Sequence, residues 1–107
     1  MFLWVDDLRE PPKNGGIEWL WARSVREAET AIMFYERQYW NDDILIDLDH
    51  DAGDYAFDGG DYIEVLKWLE REQLPDMGYT FHLHTMNPVG RDNMRAIINS
   101  NGWREIR

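Results

Sequence analysis

The chain has 107 residues, 44% of them hydrophobic, which suffices for one buried core and leaves no room for a second domain of ordinary size. Eleven basic against twenty-one acidic residues give a formal charge of −10, which repels a polyanion at long range and excludes a long nucleic acid as the expected partner. There is no cysteine, so disulfides and thiolate metal sites are ruled out; with no membrane-length apolar run and no signal-peptide pattern before Asp6, a cytoplasmic protein with no membrane partner is expected.

Phe2 to Val5 is a short apolar run stopped by Asp6-Asp7 and then Pro11-Pro12, the pattern of a buried strand entering a loop. Asn14-Gly15-Gly16 marks a turn, and Ile17 to Ala22 places Trp19 and Trp21 on one side of a second strand at a sheet edge. Ser24 and Glu27 have capping-box spacing, and Val25, Ala28, Ile32, Tyr35 and Tyr39 recur on one helical stripe, so a helix runs to about Gln38 before Asn41-Asp42-Asp43 breaks it. Ile44-Leu45-Ile46 reads as a central parallel strand covered on both faces, running into Asp47-Leu48-Asp49-His50-Asp51. Ala52 to Gly60, with three glycines and two aspartates and no period, reads as a loop.

Asp61 and Glu64 repeat the capping signal before a helix with Tyr62, Val65, Leu66 and Leu69 on its inner face, ending before Pro75. Tyr79 to Thr85 has strand character, and Asn87-Pro88 opens a last helix with Met94, Ile97 and Ile98 inside and Gly102 at its end. Trp103 to Ile106 can add a final edge strand. The order β, β, α, β, α, β, α, β with right-handed crossovers predicts an α/β domain with a mainly parallel sheet of four or five strands and about three helices. The six tryptophans read as packing residues that enlarge a small core, or as a stacking platform for bases.

In open parallel sheets the ligand crevice lies outside the carboxyl ends of the strands. Three loops reach it, carrying Asp6-Asp7, Asp49-His50-Asp51 and His84-Thr85-Met86-Asn87. An acidic surplus alone is a solubility feature, and aspartates after strands commonly cap turns. Several carboxylates in one crevice, however, repel each other unless protonated or joined by a cation, and an oxygen-rich set suits Mg²⁺ or Mn²⁺, while a nearby imidazole leaves iron or zinc open. His82 and His84 share one strand face; His82 reads as an ordinary sheet residue and His84, at the mouth, as a general acid or base or a metal ligand. Arg9 and Arg91 can fork onto phosphate oxygens or pair with surface acids, and Asn87 is a helix cap that can also face a ligand.

The segments Leu3-Trp4-Val5-Asp6-Asp7-Leu8-Arg9 with Pro11, Leu48-Asp49-His50-Asp51-Ala52-Gly53, Val65-Leu66-Lys67-Trp68-Leu69-Glu70 and His84-Thr85-Met86-Asn87-Pro88-Val89-Gly90-Arg91-Asp92-Asn93-Met94 occur in an order that resembles the cyclic-phosphate processing receiver domain family. The resemblance implies a receiver-like three-layer sandwich and a metal-dependent activity on cyclic phosphates, with Asp6, Asp7, Asp49, His50, Asp51 and His84 as candidate residues. Asp6, Asp7 and Asp49 are the candidate metal ligands, His84, Asp51 and His50 the catalytic candidates, and Arg9, Arg91 and Asn87 the candidates for a small phosphate-containing substrate. Thr85 fits the threonine position of phospho-accepting receivers, but no lysine follows Lys67, so signalling by aspartyl phosphate is the weaker expectation. A phosphoesterase for a cyclic nucleotide or a 2′,3′-cyclic phosphate end is the leading expectation, and a non-catalytic module binding a cyclic nucleotide or a protein partner the alternative.

Overall fold

The computed structural model describes residues 1–13, 15–38, 43–72 and 78–107, with residues 37 and 38 described by backbone alone. Asn14 of the predicted turn, Tyr39 of the helical stripe, the Asn41-Asp42 break and the Pro75 stop lie outside the described residues. The strands are β1 (Phe2–Val5), β2 (Trp19–Ala22), β3 (Ile44–Leu48), β4 (Tyr79–Leu83) and β5 (Arg104–Ile106). The helices are α1 (Val25–Gln38), α2 (Ile63–Glu72) and α3 (Pro88–Ser100). All neighbouring strands pair in parallel, in the order β2-β1-β3-β4-β5, giving a receiver-like α/β fold. No helix among the described residues is long and apolar enough to cross a membrane.

Strand alternation divides the sheet into two unlike faces. Leu3, Val5, Ile44, Ile46, Leu48, Tyr79, Phe81 and Leu83 point one way, into a core completed by Val25, Ala28 and Ile32 of α1, Val65, Leu66 and Leu69 of α2, and Met94 and Ile98 of α3. The crossovers β2-α1-β3, β3-α2-β4 and β4-α3-β5 all travel in the same direction across the sheet, so right-handedness puts the three helices on this one face. On the other face the register aligns Trp21, Trp4, Asp47, His82 and Ile106 in a single row across all five strands. Trp4 is buried there, outside the helix-side core. Among the described residues no helix covers this face; Glu10, Pro11, Pro12, Lys13 and Ile17 line a pocket with Trp19 and Trp21 there instead. The third layer is therefore a loop over part of the sheet.

Several local expectations change. Ser24 Oγ accepts from the Glu27 N–H at 3.1 Å, but the Glu27 carboxylate reaches back to the N–H of Arg23 rather than to that of Ser24. Asp61 does not close a capping box: its Oδ1 accepts from the Ala52 N–H at 2.9 Å, and only its carbonyl serves the Glu64 N–H. The segment read as a loop contains a 3-10 helix, Gly53–Asp58, ended by Gly59 at a φ of 115°, a conformation open to glycine without a Cβ clash. Asp47 and Leu48 belong to β3, whereas His84 and Thr85 lie beyond β4. Asn87 caps α3 as expected, its side chain accepting from the Gly90 N–H at 2.9 Å with Pro88 in the first turn.

The tryptophans divide by face. Trp68 and Trp103 join the helix-side packing, while Trp4, Trp19 and Trp21 stand on the other side, Trp4 and Trp19 meeting edge to face with ring centres 5.6 Å apart. Trp40 lies outside the described residues. Truncating Ile46, fully buried on the central strand, removes packing against the helix layer. Ile46→Ala is expected to cost about 2–5 kcal/mol, read as a lowered urea midpoint with unchanged slope.

Candidate metal and phosphate site

The chain leaves β1 toward β2 on one side and leaves β3 toward β4 on the other, so these two adjacent strands diverge at their carboxyl ends. Such a switch point is where an open parallel sheet leaves a crevice for a ligand. The ladder continues one residue past the strands: the Asp49 N–H donates to the Val5 carbonyl and the His84 N–H to that of Leu48, each at 2.9 Å. Alternation then turns Asp6, Asp49 and His84 away from the helix-side core. Each of the three offers a ligand atom within 4.8 Å of the others.

Asp6 is 1% exposed and heavily bonded. Its Oδ1 accepts from the N–H groups of Leu8 (2.9 Å) and Arg9 (2.7 Å), and its Oδ2 lies 2.9 Å from His84 Nε2. Burial pushes its pKa up, but the Arg9 and Leu8 N–H groups and His84 together outweigh that and hold it below the usual carboxylate value. The loop is pinned as well: Trp4 Nε1 donates to the Arg9 carbonyl at 2.7 Å and Trp21 Nε1 to that of Asp6 at 2.8 Å.

His84 is held on three sides. Its Nδ1 lies 2.6 Å from Oδ1 of Asp47, its Nε2 faces Asp6, and its ring stacks on Trp4 with centres 4.0 Å apart and planes 1° from parallel. Burial lowers the imidazole pKa, yet hydrogen bonds and charge from Asp47 and Asp6 prevail and the net direction is upward. Two ionised carboxylates, which only accept, call for donors on both ring nitrogens, and that favours the imidazolium. Asp47 is 6% exposed and also lies 2.9 Å from Nδ1 of His82, which is thus a partner of the site's supporting carboxylate rather than an ordinary sheet residue.

Sequence reasoning missed Asp47. The signal is its spacing two residues before Asp49, which puts a charged residue inside the apolar strand Ile44–Leu48.

Asp7 is half-buried against Gly53, where an added Cβ would stand 2.3 Å from its Oδ2. Burial first, then the charges of Asp6, Asp49 and Asp54, raise its pKa. Asp49 accepts from the His50 N–H at 2.7 Å. His50 Nδ1 lies 2.9 Å from the exposed Asp51, and its ring packs so close to α3 that a Cβ on Gly90 would fall 2.5 Å from it. His50, Asp51 and Asp61 form a second group with metal-ligand spacing. A cleft of about 320 Å³ between the loops is lined by Arg9, Asp49, Asp51, Thr85, Met86 and Asn87. Arg91 is outside that lining and donates to the Thr85 carbonyl at 3.5 Å. Beneath the site Tyr62 is fully buried, its hydroxyl donating to the Arg23 carbonyl at 2.6 Å; burial and the charges of Asp7, Asp6 and Asp49 raise its pKa.

The donor set fits a divalent cation: the carboxylates of Asp6 and Asp49 and the imidazole of His84 offer ligand atoms close together at one crevice, and burial, with the charges of Asp6, Asp49 and Asp54, disfavours the ionised form of Asp7 beside them. An all-parallel sheet with acids after its first and third strands at the switch point defines a receiver-like domain. The chain matches the family model of the cyclic-phosphate processing Receiver domain over residues 1–100 and belongs to that family. Neither a curated protein nor a solved structure gives a significant match.

Two outcomes follow for the metal-free protein. The raised pKa of His84 contributes stability that is complete below its ordinary value of 6.5 and is lost as pH rises through the raised value. The lowered pKa of Asp6 contributes stability that is present above 3.8 and is lost as pH falls through the lowered value. Urea midpoints are therefore expected to peak between pH 3.8 and 6.5, and His84→Gln to flatten the alkaline limb. Asp7→Asn, by relieving carboxylate repulsion, is expected to raise the midpoint at neutral pH while reducing the further rise produced by added Mg²⁺.

Proposed function

We propose that the domain is a metal-dependent phosphoesterase that opens a cyclic phosphodiester, either a cyclic nucleotide or a 2′,3′-cyclic phosphate end. The observation that carries this reading is the convergence of Asp6, Asp49 and His84 at the switch point, beside a cleft rimmed by Arg9. Family membership supports an involvement in cyclic-phosphate processing. The formal charge of −10 favours a small soluble substrate over a nucleic-acid end.

Asp6 and Asp49, with Asp7 behind them, would hold Mg²⁺ or Mn²⁺. When bound, the ion supplies positive charge for the phosphoryl oxygens and lowers the pKa of a water. Arg9 would fork onto two of those oxygens and orient the phosphorus. The oxygen of the attacking water bonds to phosphorus while one ester P–O bond breaks and opens the ring. Asp51, with His50 against it, takes the proton released by the water. His84 gives its Nε2 proton to the leaving ester oxygen, so the product is a phosphomonoester carrying a free hydroxyl. Because Nε2 acts as the donor, the ion is assigned to the carboxylates.

The reading is tested by incubating folded protein and Mg²⁺ or Mn²⁺ with a panel of cyclic nucleotides and an oligonucleotide ending in a 2′,3′-cyclic phosphate. Ring opening is expected for at least one of them and is expected to stop when the metal is chelated. His84→Gln should lower kcat by about 10²–10⁴-fold, while Arg9→Ala should act chiefly on KM. No turnover of any substrate by folded protein overturns the proposal, and calorimetric binding without turnover would move the domain to the non-catalytic class.

A further inference from the structure

We infer that Asp47 is a positioning residue for His84, fixing the ring orientation that points Nε2 at Asp6; the inference rests on the catalytic reading above for its effect on turnover, but on geometry for the positioning itself. A histidine ring can flip about its terminal torsion, which puts Cδ2 where Nδ1 stood and Cε1 where Nε2 stood, so the two orientations place different atoms at the reacting end. Here that freedom is removed twice. The parallel stacking on Trp4 fixes the plane of the ring, and the 2.6 Å contact from Nδ1 to Asp47 Oδ1 fixes its rotation within that plane.

Asp47 is well placed for the role. It stands inside β3, paired in register with Trp4 on one side and His82 on the other, so its backbone is held by two ladders. Its carboxylate is almost fully buried, and the partners found for it are the two histidines of the neighbouring segment, at 2.6 and 2.9 Å. A buried carboxylate in the middle of a parallel strand costs stability unless its hydrogen bonds are satisfied, and its packing would be served equally by an apolar residue of similar size. Its chemical effect is to accept the Nδ1 proton, leaving Nε2 as the nitrogen directed at Asp6. Removing a carboxylate that orients a metal-ligating histidine from behind typically changes affinity or activity by about 10–100-fold, and an effect of the same order is expected for a histidine held as His84 is.

The experiment uses ¹⁵N-labelled full-length protein and records the imidazole ¹H–¹⁵N correlations of the wild type, Asp47→Asn and Asp47→Ala, with circular dichroism as the check on folding. In the wild type, a slowly exchanging Nδ1 proton is expected on His84. It should weaken in Asp47→Asn, whose amide oxygen still accepts, and vanish in Asp47→Ala, while the signals of His50 are unchanged. If the alanine variant does not fold, the wild-type proton and its response to asparagine decide the matter. Absence of a protected Nδ1 proton on His84 in the wild type, or its persistence unchanged in a folded variant, overturns the inference. In the hydrolysis assay kcat is expected to fall about 10–100-fold with KM held, and partial recovery in Asp47→Asn relative to Asp47→Ala would distinguish positioning from loss of packing. A wild type that hydrolyses nothing sinks the catalytic reading alone, because the nitrogen signals report the positioning without it.

Discussion

A buried imidazole between two buried carboxylates is the constraint from which the rest of the site follows. Asp6 and Asp47 are both almost fully buried, and an uncompensated carboxylate at that depth carries a penalty of several kcal/mol. His84 meets both, one with each ring nitrogen. The arrangement is possible only where three strands lie side by side: Asp6 leaves β1, Asp47 lies within β3, and His84 follows β4. Removing any one member leaves the others exposed to a desolvation cost without its compensation, which is why the shifts of Asp6 and His84 run in opposite directions.

Asp7 carries the opposite shift, because it is partly buried and lies near the charges of Asp6, Asp49 and Asp54. The cluster is thus divided: His84 meets Asp6 and Asp47, while Asp7 lies near the like charges of Asp6 and Asp49. A cation bound among the carboxylates of Asp6, Asp7 and Asp49 would relieve repulsion already present in the fold, and binding energy gained in this way appears as added stability of the native state. The loop holding these groups is correspondingly fixed by two indole N–H donors and by the Asp6 turn, rather than by a helix.

One-sided helix packing gives the domain a division of labour. The face under α1, α2 and α3 supplies the apolar burial, and the face bearing Trp4, Asp47, His82 and His84 is left free for polar chemistry. A parallel sheet is ordinarily covered on both faces, so polar residues on a central strand need local partners. They have them here in the row across the sheet. On the helix side of the crevice, Gly90 at the start of α3 lets the His50 ring approach the backbone, which ties the second acidic loop to the capped end of that helix.

Period and punctuation in the sequence already determined the strands, the helices, the mainly parallel sheet and the acids at the strand ends, because alternation, capping serine and asparagine, and glycine stops act over a few neighbouring residues. They also singled out Asp6, Asp49 and His84 one by one. What they did not reach was partnership. Asp61 was assigned to a capping box and instead holds the Ala52 N–H, since a carboxylate accepts from whichever donor the chain brings nearest. His82 reads from sequence as an ordinary sheet residue and Asp47 carries no role there, because nothing local shows that β3 and β4 are neighbours in register. The tryptophans read from sequence as packing residues or a stacking platform, and only the path of the chain from Asp6 to Arg9 brings its carbonyls to the N–H groups of Trp4 and Trp21. The sequence by itself determined which residues could carry charge at the crevice; the tertiary structure decided which charges share a proton donor, because that depends on contacts between segments more than thirty residues apart.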